Sequence, residues 1–201
     1  MCEIKNKIIA KSTEMFLRLG FKSITMDDIA GEMSMSKKTI YKFFSNKDVL
    51  IEESIAALHQ EIASAIEKIS AQNLNAIEEN FELKRMFKEL FKSAESSPIY
   101  QLKKHYPDIY EKALENQVIL SENSFRNNIK RGIKEGLYRA NIAIENYVKF
   151  YYTLIFSINE NTLLEKEAKE IETLALEYHI RAMATLAGII ELEKHLNNPI
   201  I

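Results

Sequence analysis

From Lys47 to about Ser70 the chain meets neither glycine nor proline, and Leu50, Ile51, Ile55, Leu58, Ile62, Ile66 and Ile69 recur along it at helical spacing. Such a run predicts one helix roughly 35 Å long at ~1.5 Å per residue. Only five glycines and three prolines occur in 201 residues, and no alternating apolar runs lie between hairpin turns. The expected fold is therefore all-α. The long helix joins two regions of different character, so a shift at one of its ends moves the other.

Upstream of it lies Thr25–Leu50, which reads as two short helices, a tight turn and the start of the long one. Thr25 is an N-cap candidate with Asp27 and Asp28 in the following turn. Ile29, Ala30 and Met33 form an apolar stripe, and Ser36 is a second N-cap. The helix it opens is expected to run from Lys37 to about Phe43, with Ile40 and Phe44 inward. Lys37, Lys38, Thr39, Tyr41 and Lys42 project outward, and no acidic residue lies between Ser34 and Asn46. A short basic helix of this kind suits the major groove of DNA. Its lysines can neutralise phosphates, and its hydroxyls can reach phosphate oxygens or base edges. The same pattern also fits a solvated lysine face on an ordinary three-helix unit.

Thr25, Ile29, Ala30, Ser36, Thr39, Ile40, Tyr41, Phe44, Lys47 and Leu50, with Phe16, Gly20 and Phe21 upstream, resemble the helix-turn-helix of the tetracycline-repressor (TetR) family of transcriptional regulators. The resemblance covers about the first quarter of the chain. It implies DNA contacts from Thr25, Thr39, Tyr41 and Lys47, beside Ser36, Lys37, Lys38 and Lys42. Two positions depart from the family. Met33-Ser34 stands where Ala-Gly is usual, so Ser34 is costly if the turn needs a positive φ. Phe43 replaces a common His or Tyr and cannot donate to a phosphate.

Charge distribution agrees with this layout. The net charge is −2, but residues 1–50 carry nine Lys/Arg against six Asp/Glu and the remainder eighteen against twenty-three. The basic excess therefore lies in the helix-turn-helix segment, and the rest is repelled by DNA. The single cysteine, Cys2, excludes an internal disulfide framework and fits a reducing compartment. No apolar run approaches the length of a membrane span and no secretory leader is evident, so the expected location is cytoplasmic and no membrane partner is expected.

Along the chain, a first helix spans about Glu3 to Leu19 with Ile8, Ser12, Met15, Phe16 and Leu19 on one side and Gly20 as its cap. Further helices are expected from about Asn75 to Lys92, from Ser97-Pro98 to about His105, from Pro107 to about Lys134, from Ile144 to about Asn159, and from Glu167 to about Ile190, about nine in all. The helix from Ile144 is apolar nearly all round and needs cover on two sides. The last is rich in small residues. These two are expected to pair with a second copy of the chain through Tyr152, Phe156, Tyr178, Ala182, Leu186 and Ile190; the TetR resemblance implies the same use.

Fourteen of the nineteen Phe and Tyr lie beyond residue 80. Phe81, Phe87, Phe91, Tyr100 and Tyr106 are candidate walls of a small-molecule pocket, with Tyr110, Phe125, Tyr147 and Tyr151 further on. Aromatic core packing explains the same residues without a ligand. With no evident buried charge among them, the effector expected is apolar or amphipathic. The four histidines are scattered, with no metal-ligand spacing, and no catalytic motif occurs, so no metal, cofactor or enzymatic activity is expected.

The expectation is thus a homodimer with a DNA-binding head, residues 1–46, and a sensor and dimerisation body, residues 47–201. It would recognise a pseudo-palindromic operator, and a ligand would act by changing the angle of helix 47–70. A DNA-binding dimer controlled by a protein partner, and an all-α enzyme, remain as alternatives.

Overall fold

The computed structural model describes residues 2–197, apart from the side chains of Cys2, Asn116 and Gln117. Ten helices follow in order: α1 Cys2–Leu19, α2 Met26–Glu32, α3 Lys37–Tyr41, α4 Lys47–Ser70, α5 Ala76–Leu90, α6 Pro98–His105, α7 Pro107–Lys134, α8 Ile144–Asn161, α9 Glu165–Met183 and α10 Leu186–Asn197. The fold is all-α, and among the described residues β pairing is limited to two isolated bridges.

Local chemistry sets most boundaries. Asn46 caps α4 by accepting from the Val49 amide at 2.9 Å, and Asn75 caps α5 in a reciprocal box with Glu78. Ser97 caps α6 with Pro98 just inside it. Gly20 and Gly136 close α1 and α7 at φ +85° and +73°, backbone that favours glycine.

The expected last helix, Glu167 to about Ile190, is divided into α9 and α10. Nothing in Ala182-Met183-Ala184-Thr185 breaks a helix by propensity. The break comes from tertiary pairing. Ala184 is extended, the Arg139 amide donates to the Met183 carbonyl at 2.9 Å, and the Thr185 amide donates to the Leu137 carbonyl at 2.9 Å. Thr185 then opens α10, its hydroxyl accepting from the Gly188 amide. A Cβ on Gly188 would lie 2.1 Å from the Leu137 carbonyl oxygen, so this glycine serves contact within the chain rather than with a partner. Leu19, expected inward, is 48% exposed.

Two cores share α7, and a smaller cluster of Leu17, Leu58 and Ile62 lies between α1 and α4. The first joins Phe16, Phe21, Ile29, Ile40 and Phe44 of the head to Leu50, Ile51 and Ile55 of α4, and continues onto Leu102, Ile109 and Tyr110. The second lies among α5, α7, α8, α9 and α10 around Ile77, Ile129, Tyr138, Val148 and Ile180. A buried polar cluster fastens α5 to α7 beside it. Asn128 donates to Glu79 at 2.9 Å and to the Ala76 carbonyl, Asn80 donates to Asn128, and Arg131 pairs with Glu79 at 2.7 Å. The Tyr138 ring completes the cluster, and a Cβ on Gly132 would strike it at 2.2 Å.

His179 is buried on α9 and stacks on Tyr151 with ring centroids 4.1 Å apart. Burial alone pushes its pKa down from 6.5 to about 3. Between those values the unfolded chain binds a proton that the folded chain refuses. The contribution is therefore fully present above about pH 6.5 and is lost progressively as the pH falls. Denaturant titration is expected to show that His179→Gln removes on the order of 2 kcal/mol of the stability difference between pH 6.5 and pH 5. An unchanged pH dependence would refute neutral burial.

Candidate nucleic-acid interface and body cavity

The head presents α3 on a short, tightly capped frame. Thr25 and Asp28 form a capping box on α2, the Asp28 amide donating to the Thr25 hydroxyl at 3.2 Å and the Thr25 amide to the Asp28 carboxylate at 2.8 Å. The Thr25 hydroxyl also donates to Asp28 at 2.7 Å, which holds that carboxyl below the usual range. The proton that Thr25 would offer a phosphate is thus already engaged. The turn carries Ser34 at φ +51°, the left-handed conformation.

Ser36 caps α3 by accepting from the Thr39 amide at 3.1 Å, and the Ser36 and Thr39 hydroxyls lie 2.8 Å apart. The helix ends at Tyr41, two residues before the expected Phe43, and Phe43 packs on the head core. Ile40 and Phe44 are fully buried, as expected of the inner face. Lys37, Lys38, Tyr41 and Lys42 are exposed. Lys37 pairs with Asp27 at 2.7 Å. Among the described residues no carboxylate pairs with Lys38 or Lys42. Lys47 is turned back: its ammonium donates to the Lys22 carbonyl at 3.2 Å and sits 5.6 Å from the centre of the Tyr106 ring. The structure therefore brings Ser36 to Lys42 together on one short element and ties Lys47 to the base of the head.

The body holds a cavity of about 190 Å³ between α4 and the helices α5 to α9. Five of the nine expected aromatic residues line it: Phe87, Phe91, Tyr110, Phe125 and Tyr151. The other four lie elsewhere. Phe81 stacks on His195. Tyr100 pairs with Lys104, and the Tyr147 hydroxyl donates to the Ala182 carbonyl at 3.4 Å. Tyr106 donates to the Phe21 carbonyl and braces the head. Each is aromatic and lies on the right stretch, but the period alone does not say which side of a helix meets a void.

Polar groups in this wall were missed. Glu165, Lys169 and Glu172 of α9 line it, with Lys84, Asn80 and Asn159. The i, i+4, i+7 spacing of Glu165, Lys169 and Glu172 does put them on one face, but such a set reads from sequence as a solvated side. Lys169 pairs with Glu172 at 2.8 Å and with Glu165 at 3.3 Å. Burial raises the Glu165 carboxyl above the ordinary value. Tyr110 hydrogen-bonds Glu160, and burial and that carboxylate push its phenol up.

The expected partner-facing residues divide. Tyr178, Leu186 and Ile190 are exposed, together with Phe150, Leu154 and Leu174; all six are between 37% and 79% exposed. They form i, i+4 pairs on α8, α9 and α10. Phe156 instead faces inward onto the cavity, Tyr152 stacks on it with ring centroids 4.3 Å apart, and Ala182 is half-buried. Phe156 corrects the expectation, since its spacing does not tell the two apolar sides of α8 apart, while Tyr152 is half-buried beside it.

Residues 8–54 match the family described as bacterial regulatory proteins, tetR family. An uncharacterized HTH-type transcriptional regulator, YhgD of Bacillus subtilis (strain 168), is 38% identical over 58 residues, 29% of this chain and 30% of that protein. The match to this curated relative thus spans less than a third of its length. Likeness of fold reaches much further. A transcriptional regulator from Cytophaga hutchinsonii superposes with a TM-score of 0.71 at 17% identity, over 90% of this chain and 98% of that one. SmeT, described as the repressor of the Stenotrophomonas maltophilia multidrug efflux pump SmeDEF, gives a TM-score of 0.64 at 15% identity, over 92% of both chains.

The left-handed serine of the turn sets a measurable expectation. Ser34→Gly relieves the conformation and is expected to stabilise the chain by up to about 1 kcal/mol, less the added freedom of the unfolded state. Chemical denaturation checks it, and a loss of stability would show that the Ser34 side chain contributes something the backbone does not reveal.

Proposed function

Because the chain belongs to the tetR family of bacterial regulatory proteins, we propose that it is a DNA-binding transcriptional regulator released from its operator by a small molecule held in the body. Most of the support comes from one observation. Ile55 and Tyr110 belong to the core that seats the head, and both also line the cavity. Leu102 does the same from α6. A ligand that fits one arrangement of this wall better than another biases the seat of the head directly. The alternative, a body packed solid and read by a protein partner, accounts less well for a body that holds such a void. Repression is the default sign, in keeping with the description of SmeT as a repressor.

The head acts through Ser36, Lys37, Lys38, Thr39, Tyr41 and Lys42 on α3, with Thr25 and Lys47 in supporting positions. Lys38 and Lys42 supply the uncommitted charge, and Lys37 exchanges Asp27 for phosphate. The boundary between head, residues 1–46, and body falls at the cap of α4. Two copies of the chain pair through the outer sides of α8, α9 and α10, placing two α3 helices on successive major grooves of a pseudo-palindromic site. No helix among the described residues is long and apolar enough to cross a membrane, and a cytoplasmic site of action goes with the DNA-binding reading.

The experiment is a salt titration of binding to the promoter region of the chain's own gene. Lys38→Ala and Lys42→Ala are each expected to weaken binding and to lower the slope of log affinity against log salt by about 0.9. Unchanged slopes would remove α3 as the contact element. For pairing, Leu174→Glu together with Tyr178→Glu is expected to convert a sedimenting dimer into a monomer of unchanged helical content. A dimer that survives would move the interface away from α9.

A further inference from the structure

We propose that the body cavity selects amphipathic amines, molecules with a protonated amine head and an apolar body, and that Glu165 seats the head. This rests on the ligand-binding reading above and adds the chemistry of the ligand. Glu165 opens α9, is 4% exposed and lines the cavity, and neither of its carboxylate oxygens has a hydrogen-bond partner. A buried carboxylate without donors is costly, and such groups in folded proteins are ordinarily satisfied.

The nearby cation does not meet this need. The Lys169 ammonium lies 3.3 Å from Glu165, outside hydrogen-bond geometry, while it bonds Glu172 at 2.8 Å. Glu172 also accepts from the Asn159 amide at 2.6 Å. One ammonium therefore serves two carboxylates, and Glu172 takes most of it. Lys84 is the other cation of the wall; its ammonium sits 5.9 Å from the centre of the Phe81 ring, and burial lowers its pKa.

The remaining wall suits the rest of such a ligand. Leu58, Ile62, Leu83, Phe87 and Phe125 are apolar. The Lys169 ammonium lies 5.4 Å from the centre of the Phe91 ring, so this end of the cavity already holds a cation over an aromatic face. An ammonium head brings three donors to an acceptor that has none and that holds only a share of the Lys169 charge. A carboxylate head in the same place would meet Glu165 and Glu172 with like charge.

The test compares three probes of equal chain length on the 201-residue chain by titration calorimetry at pH 7 and low salt: n-octylamine, n-octanol and octanoate. The amine is expected to bind on the order of 10- to 100-fold more tightly than the alcohol, the range of a charge-assisted hydrogen bond, and octanoate most weakly. In Glu165→Gln the amine is expected to fall to the level of the alcohol, whose retained binding reports an intact cavity. Equal affinity for amine and alcohol in the unaltered protein would overturn the amine proposal and leave the ligand-binding reading standing. A preference that survives Glu165→Gln would overturn Glu165 as the seat. Binding of none of the three would overturn the ligand-binding reading and this proposal together.

Discussion

The packing of Ile55 is the constraint on which the rest depends. Its side chain is wedged between the head core and the open space of the body, on a helix with no interruption from Lys47 to Ser70. A close-packed interior transmits displacement because its contacts are short and its side chains occupy discrete rotamers. The head has no seat of its own. Phe21 and Lys22 at its base are gripped by Tyr106 and Lys47 through their backbone carbonyls. The orientation of α3 thus depends on the junction of α6 with α7 as well as on α4.

The body keeps its void by fixing its walls from behind. The Glu79, Asn80, Asn128, Arg131 and Tyr138 cluster locks α5 to α7 through buried hydrogen bonds and the Arg131–Glu79 ion pair. At the other end, the Ser97 amide donates to the Leu163 carbonyl and the Glu165 amide to the Glu95 carbonyl, hooking the start of α9 to the start of α6. Ser97 adds a hydroxyl bond to the Asn159 carbonyl. Glu165 is held in the wall by this hook, and that explains how a carboxylate without donors is kept inside.

Much of this was legible in residue order, for a physical reason. Helix ends are local events, so Thr25, Ser36, Gly20, Asn75 and Ser97-Pro98 announced them. The two sides of α3 were legible because its inner residues, Ile40 and Phe44, and its outer lysines follow one period. What escaped was decided by distant segments. The break at Ala184 exists because Leu137–Arg139 runs beside it. Phe156 reads as outward because α8 is apolar on both sides, and only packing turns it onto the cavity. Glu165, Lys169 and Glu172 look like a solvated face, and the pairing of the 95–97 segment with 163–165 is what turns that face inward.

The outer pairs Phe150/Leu154, Leu174/Tyr178 and Leu186/Ile190 lie far from the basic surface of the head in chemical character. Dissolved ions treat the two oppositely. Raising ionic strength strips lysines from phosphates, whereas strongly hydrated anions such as sulfate drive exposed apolar groups out of water. On the pairing and DNA contact proposed above, a sulfate-rich solution glues such bodies together while loosening their hold on nucleic acid, and a chaotropic salt of equal strength loosens both.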